Sequence, residues 1–346
     1  MSAAQRGRLA VGGLLALLLL YWFFRGLDLE ALGRSLASAK PAYLAGLVAV
    51  TILLYFVRAW RWGYLLSPLV RVPVLDLYSA TMVGFASAML VPRAGEVVRP
   101  YLVTRRHPIT LSAGFATIIL ERIVDLLTVL LFLGLYLYVL PPPPQQTSGP
   151  LLTLLKRGGL LVGMGALAIV AILTAFHVYA ERALALCDRV LKRLPGWLGA
   201  PLGRILRSFS EGLAVLKAPA SHLAIIGAQS LVVWLLIDLG FHLTHRAFGL
   251  DLPFRATFLL VAFLTVGVAI PTPGMVGGFH AFYLLALKEA FGQDPSTAAA
   301  CGLVAHALST LPVIVLGLAF LPREGITLGR VAEMSDAKAA PQEVRT

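Results

Sequence analysis

A series of apolar runs, each about as long as a bilayer is thick, constrains this chain more than any other feature. They cover residues 9–24, 43–66, 75–91, 109–140, 160–176, 222–242, 254–270, 279–291 and 298–321. A helix rises about 1.5 Å per residue, so about 20 apolar residues cross a hydrocarbon core of about 30 Å. Hydrophobic residues make up 58% of the 346 and charged residues 13%, where soluble proteins carry about 25% charge. Too few polar side chains exist to cover a water-facing surface. A soluble enzyme, a disordered chain and a secreted disulfide scaffold are excluded. The expected fold is an all-α polytopic membrane protein with about six full transmembrane helices and two broken or re-entrant segments. These form a single transmembrane domain over 1–321, followed by a polar tail over 322–346.

The net charge of +12 would point to nucleic acid in a soluble protein, but the chain carries no nucleic-acid motif. In a membrane protein, basic loops remain on the cytoplasmic side, beside anionic headgroups. Residues 181–217 hold seven Lys/Arg against three acids, with apolar residues at helical spacing. They are expected to form amphipathic helices on the cytoplasmic surface. Cys187 and Cys301 are far apart and lack a metal-ligand pattern, so no metal site or redox pair is assigned. His242 and His245 stand three apart without an acidic partner recognised nearby, and no metal is assigned there either.

The distribution of positive charge gives a topology. The N-terminus with Arg6 and Arg8, residues 58–71, 93–106 and 181–217 belong inside, and the uncharged loop 141–150 outside. Run 75–91 then begins and ends on one side, so it enters the membrane and returns, with Pro92 and Gly95 where it would turn. Pro92-Arg93-Ala94-Gly95 is echoed by Pro271-Thr272-Pro273-Gly274, an offset of 179 residues. That offset carries the flanking helices onto one another and defines repeat halves over 42–140 and 221–321. P-x-x-G alone is a weak pattern; the shared register of three elements supports the repeat. By parity the halves enter from opposite sides, the inverted-repeat plan of many transporters.

Charges inside apolar segments need a reason. The informative ones are Arg58, Arg61, Arg93, Glu96, Arg99, Glu121, Arg122 and Asp125. Glu121 and Asp125 are four apart and Arg58 and Arg61 three apart, so each pair shares a helix face. The simplest arrangement sets the 92–99 stretch against the 121–125 turn. Arginines then outnumber carboxylates, and a planar guanidinium matches a phosphate or carboxylate bidentately. A lipid phosphate is the natural anion in such a place. Two readings of Arg58 and Arg61 stand: a share in that site, or snorkelling to the surface beside Trp60 and Trp62.

The second broken segment holds Pro271, Pro273, Gly274, Gly277, Gly278 and His280, with no fixed charge. Glycine permits tight turning and close backbone approach, and exposed N–H groups there could receive a headgroup oxygen. His280 and His306 read either as polar site groups or as helix–helix hydrogen bonds. No G-x-S-x-G, Walker loop or H-E-x-x-H occurs, so no catalytic residue and no cofactor is assigned.

Val91-Pro92-Arg93-Ala94-Gly95-Glu96-Val97-Val98-Arg99-Pro100, followed by Leu120-Glu121-Arg122-Ile123-Val124-Asp125, resembles the lysylphosphatidylglycerol synthetase transmembrane-region family. Its members are also described as flippase-like integral membrane proteins. Arg58-Ala59-Trp60-Arg61-Trp62, Pro271-Thr272-Pro273-Gly274 with Gly277-Gly278, and His306 extend the resemblance over about 40–321. It implies a multi-pass protein of a cytoplasmic (inner) membrane, N-terminus cytoplasmic, that handles lipids. In bifunctional members this region is the translocase and a separate soluble domain makes the aminoacyl lipid; that domain has no counterpart in this sequence. Ala86-Ser87-Ala88 stands where members often carry Asn, and His280 where an acidic residue often follows, departures that bear on the substrate more than on the fold. The expected function is translocation or transport of an anionic or phosphate-bearing lipid. The alternatives are a membrane-embedded headgroup transferase and a non-catalytic partner of a lipid-modifying enzyme. Membrane lipids are the expected partners, with a lipid-synthesising enzyme as a further one.

Overall fold

Apolar runs in a solvent that offers no hydrogen bonds must satisfy their backbone internally, and helices do so. The computed structural model describes residues 27–90, 94–141 and 196–326, with scattered positions in 14–25 and 158–179. Its α-helices are α1 (Leu29–Ala37), α2 (Pro41–Leu66), α3 (Val74–Leu90), α4 (Ala94–Thr104), α5 (Leu111–Gly134), α6 (Gly196–Gly212), α7 (Ala220–Ala247), α8 (Ala256–Ala269), α9 (Gly278–Leu285) and α10 (Pro295–Glu324). No strand occurs among the described residues. Arg93, Pro92, loop residues 142–150, residues 181–195 and the tail from 327 lie outside them, as do parts of runs 9–24 and 160–176.

Helices α2, α7 and α10 are each long and apolar enough to cross a membrane. Helix α5 has 24 residues, about 36 Å of rise, but carries Glu121, Arg122 and Asp125. Its N-terminus is capped by Thr110, whose hydroxyl accepts from the Ala113 amide (3.3 Å). Asp294 caps α10 through the Thr297 amide (2.8 Å), Pro295 opens that helix, and Gly325 in the left-handed conformation ends it. The polar stretch after Pro92 is helical from Ala94, so Glu96 and Arg99 sit on helix α4 rather than in a turn.

Helices α3 and α4, and likewise α8 and α9, pack against each other as helical hairpins. Each is closed by a pair of glycines. A Cβ on Gly95 would stand 2.6 Å from the Gly84 carbonyl oxygen, and one on Gly267 would stand 2.7 Å from that of Gly278. Gly84 to Gly267 and Gly95 to Gly278 are both steps of 183 residues. The helix starts give 179 for α2 to α7 and 184 for α4 to α9 and α5 to α10. The hairpins therefore match Gly95 with Gly278 rather than with Gly274. The reason is that the α8–α9 connection spans 270–277, including a 3-10 turn at Pro273–Met275, and is longer than the α3–α4 connection over 91–93.

The packing is reciprocal between the halves. Helix α3 lies against α10 as α8 lies against α5, and α2 touches α10 as α7 touches α5. Helices α2 and α7 form the most extensive contact and run antiparallel. Lys40 N–H donates to the Ala247 carbonyl (2.9 Å), Gly46 lies beside Leu243 and Gly240 beside Leu47. At the other end His222 Nε2 meets the Tyr64 carbonyl (3.0 Å).

The apolar core has two parts. One joins α2, α3, α4 and the first half of α5 (Ala116, Ile118, Leu120). The other joins the second half of α5 (Val129, Phe132, Leu133) to α8, α9 and the start of α10. Residues 121–125 occupy the stretch of α5 between them, near the middle of that helix.

Candidate functional site

Four elements converge on that midpoint. Arg61 of α2 is fully buried, as is Glu121 of α5, while Arg99 of α4 and Asp125 of α5 are nearly so. Arg99 grips Glu121 with two parallel bonds, Nη1–Oε1 3.1 Å and Nη2–Oε2 3.0 Å. Arg122 Nη2 donates to the same carboxylate at 2.9 Å, and Arg61 Nη2 stands 3.5 Å from it. Arg61 Nη1 donates to Asp125 Oδ1 (2.7 Å) and to Ser230 Oγ of α7 (2.9 Å). Trp234 Nε1 of α7 adds a second donor to Asp125 Oδ1 (3.1 Å).

The helices can approach this closely because small residues and rings surround the charges. A Cβ on Gly84 would run into the side chain of Arg99, and one on Gly114 would meet Pro100 at 3.0 Å. The Arg99 guanidinium lies 4.5 Å from the Trp62 ring centre. Trp62 is held in turn by its Nε1 bond to Thr117 (3.0 Å).

The cluster is not neutral. Four arginines (Arg58, Arg61, Arg99, Arg122) meet two carboxylates in the contact network, Glu121 and Asp125. Glu96 on α4 makes no ion pair among the described residues, although its charge acts on Arg122. Arg58 likewise has no carboxylate within ion-pair distance among the described residues. Its guanidinium rests 5.5 Å from the Phe85 ring centre and 5.9 Å from that of Tyr55. The side chain of Arg122 is 40% exposed, whereas its partner Glu121 is sealed. Arg61 and Arg99 are thus committed to carboxylates, while Arg58 and the open side of Arg122 hold the surplus charge.

A family model described as the lysylphosphatidylglycerol synthase transmembrane region matches residues 9–317. The chain belongs to that family. It is similar to a UPF0104 membrane protein of Methanothermobacter thermautotrophicus, 24% identical over 316 residues that cover 84% of this chain and 88% of the relative. It is also similar to the glycosyltransferase AglD of Haloferax volcanii, 23% identical, with 96% of this chain matched. The chain spans 57% of that relative's length.

In this family member the second broken segment lies apart from the charges and is locked by its own groups. Gly274, Met275 and Gly277 have φ of 60°, 60° and 88°, the left-handed region in which glycine is unstrained. His306 Nε2 meets the Gly274 carbonyl at 2.9 Å and its ring stacks on Phe279. His280 accepts the Gly277 amide at Nδ1 (3.3 Å) and stands edge-on to His306. Pro271 and Pro273 bracket Thr272, whose amide turns back to the Ile270 carbonyl (2.8 Å). Gly274 faces Met89 near the end of α3, so the two hairpin tips meet. Sequence reasoning brought Arg58, Arg61, Arg99, Glu121, Arg122 and Asp125 forward. It did not find Ser230 or Trp234, whose i, i+4 spacing on α7 was the available signal.

Proposed function

We propose that this membrane protein translocates or carries a lipid with a phosphate-bearing headgroup, in a bacterial-type cytoplasmic membrane. The observation that carries this is a guanidinium surplus at mid-depth of the bundle. Unpaired charge is costly there, and retained intramembrane charge marks a substrate pathway. Arg58 and the exposed edge of Arg122 receive the phosphate, the first as an uncommitted cation and the second as half of a fork. Arg61 and Arg99, fixed by Glu121 and Asp125, position the site; Glu96 and Arg93, the latter outside the described residues, are proposed as further headgroup contacts. The acyl tail stays in the bilayer. The reciprocal, antiparallel halves suit an inverted repeat that exposes the site to each side in turn. The basic segment 181–217 lies on the cytoplasmic side with the N-terminus, and offers a docking face to a lipid-synthesising enzyme.

The test is reconstitution in liposomes with fluorescent anionic and zwitterionic lipids, read by outer-leaflet quenching. Arg58→Gln and Arg122→Gln are expected to slow movement about tenfold or more while the protein stays folded, since a charged hydrogen bond contributes about 1.5–3 kcal/mol. Lys replacements should rescue only in part, because a point charge lacks the fork. Folded variants moving lipid at the wild-type rate would remove the phosphate role. In the same vesicles, cysteine labelling should reach residues 145–149 from outside and 185–210 only from inside; the reverse would overturn the orientation. The name of the AglD relative favours a second reading, transfer of a group onto a lipid headgroup. A headgroup mass change on incubation with lipid and activated sugar would support it.

A further inference from the structure

Helix α7 carries a line of polar groups that the phosphate site does not use in full. Ser230, Trp234, Asp238 and His242 stand four apart, with His245 three further on. Steps of four advance about 40° around a helix, so the line winds slowly along one side. Its first two members belong to the arginine cluster, through Arg61 and Asp125. The third, Asp238, is fully buried, and neither carboxylate oxygen has a hydrogen-bond partner among the described residues. Thr257 of α8 lies beside it, but that hydroxyl donates to the Phe254 carbonyl (2.7 Å). Next come His242, whose Nδ1 is unpartnered, the fully buried His245, both of whose ring nitrogens are, and Tyr283 of α9, whose hydroxyl is also unpartnered among the described residues. The His245 and Tyr283 rings are 6.2 Å apart. From Ser230 to His245 the helix rises about 22 Å, most of a hydrocarbon core.

A buried carboxylate needs either a counter-charge or a proton. The groups facing this line from neighbouring elements are Arg61 of α2 and Asp125 of α5 at the cluster end. Arg255 stands at the head of α8, and Tyr283 of α9 with Cys301 of α10 behind it. On α7 itself Arg246 follows His242. Arg61 is committed to Asp125, and no cation forms an ion pair with Asp238 among the described residues. No group of three or more His, Cys, Asp or Glu gathers there to hold a metal among the described residues. The chemistry left to Asp238 is proton uptake and release.

We infer that Asp238 is a proton-carrying station between the arginine cluster and the His242–His245 end of α7, and that its protonation couples lipid movement to a transmembrane proton gradient. The inference rests on the translocase reading. A proton entering from one side neutralises the carboxylate and leaves to the other side, passing along the histidines and Tyr283 through water; no bond other than O–H or N–H changes. The arginine site supplies the lipid's grip, and Asp238 supplies the direction.

The experiment uses full-length protein in vesicles of phosphatidylcholine and phosphatidylglycerol, with fluorescent phosphatidylglycerol and a lumenal pH dye. Under a pH difference of about one unit, one proton per lipid supports a steady-state leaflet ratio of up to about tenfold. Wild type should build such an asymmetry, and Asp238→Asn should equilibrate the lipid to a ratio near unity while still moving it. Asp238→Glu should restore part of the asymmetry. An Asp238→Asn protein with wild-type asymmetry, or a wild type that moves lipid without response to the gradient, overturns the inference and leaves the translocase reading standing. If wild type moves no lipid but releases lumenal protons in an Asp238-dependent way, the translocase reading fails and the proton route holds. If it does neither, both fall. Independently of transport, infrared difference spectra over about pH 5–9 should show a titrating carboxyl band that Asp238→Asn lacks. Identical spectra would also overturn the assignment.

Discussion

The two hairpins are built alike and used differently. Helices α3 and α4 close on Gly84 and Gly95, α8 and α9 on Gly267 and Gly278. Around the first pair the sequence places Arg99, which reaches Glu121; around the second it places Phe279, His280 and the Gly274 turn held by His306. One hairpin delivers a charge to the middle of the bundle. The other delivers backbone carbonyls and aromatic rings. The scaffold therefore does not dictate the chemistry: close backbone approach is the shared requirement, and side chains at equivalent places diverge.

Breaking the charged side should have the largest effect. Glu121→Gln leaves Arg99, Arg61 and Arg122 without their common counter-charge, and losing one partner of a buried pair costs about 3–5 kcal/mol. Adding Arg99→Gln should recover part of the loss. Strict additivity in a thermal-unfolding cycle in detergent would show that the pair is not in contact.

The shared side can be sharpened with Gly95→Ala and Gly278→Ala. Each forces a methyl into a facing carbonyl, and overpacking costs about 1–3 kcal/mol. Similar losses in both hairpins would support a common architecture. A tolerated alanine in one of them, read by the same unfolding assay, would break the comparison. The smallest effect belongs to the uncharged side. His306→Phe keeps the ring beside Phe279 and removes the bond to the Gly274 carbonyl, a loss of about 1 kcal/mol. A loss as large as that of Glu121→Gln would mean that this hairpin, too, is held by a buried network.

Much of this was legible in the residues. Runs such as 43–66 and 298–321 became α2 and α10 because apolar length alone specifies a spanning helix. Glu121 and Asp125 marked where buried partners were needed, because acids cannot snorkel from the middle of a helix, and Arg99 and Arg61 supply them. The register of the hairpins was less visible. The P-x-x-G echo pointed to an offset of 179, but that match ignores the extra length of the 270–277 connection, which only packing reveals. Ser230 and Trp234 escaped because neither is charged. Asp238 escaped because a lone acid has no spacing partner until its helix face is known.

The antiparallel pairing of α2 and α7 has one more consequence. A backbone whose long helices pair in opposite senses and make reciprocal contacts packs in a similar way toward either end, so helix packing alone does little to tell one end from the other. For the proposed translocase, vectoriality must then be written in composition. Arginines and acids crowd one half, whereas α8 holds no ionisable side chain. A translocase built this way would carry its sense of direction in the places where its two halves fail to match.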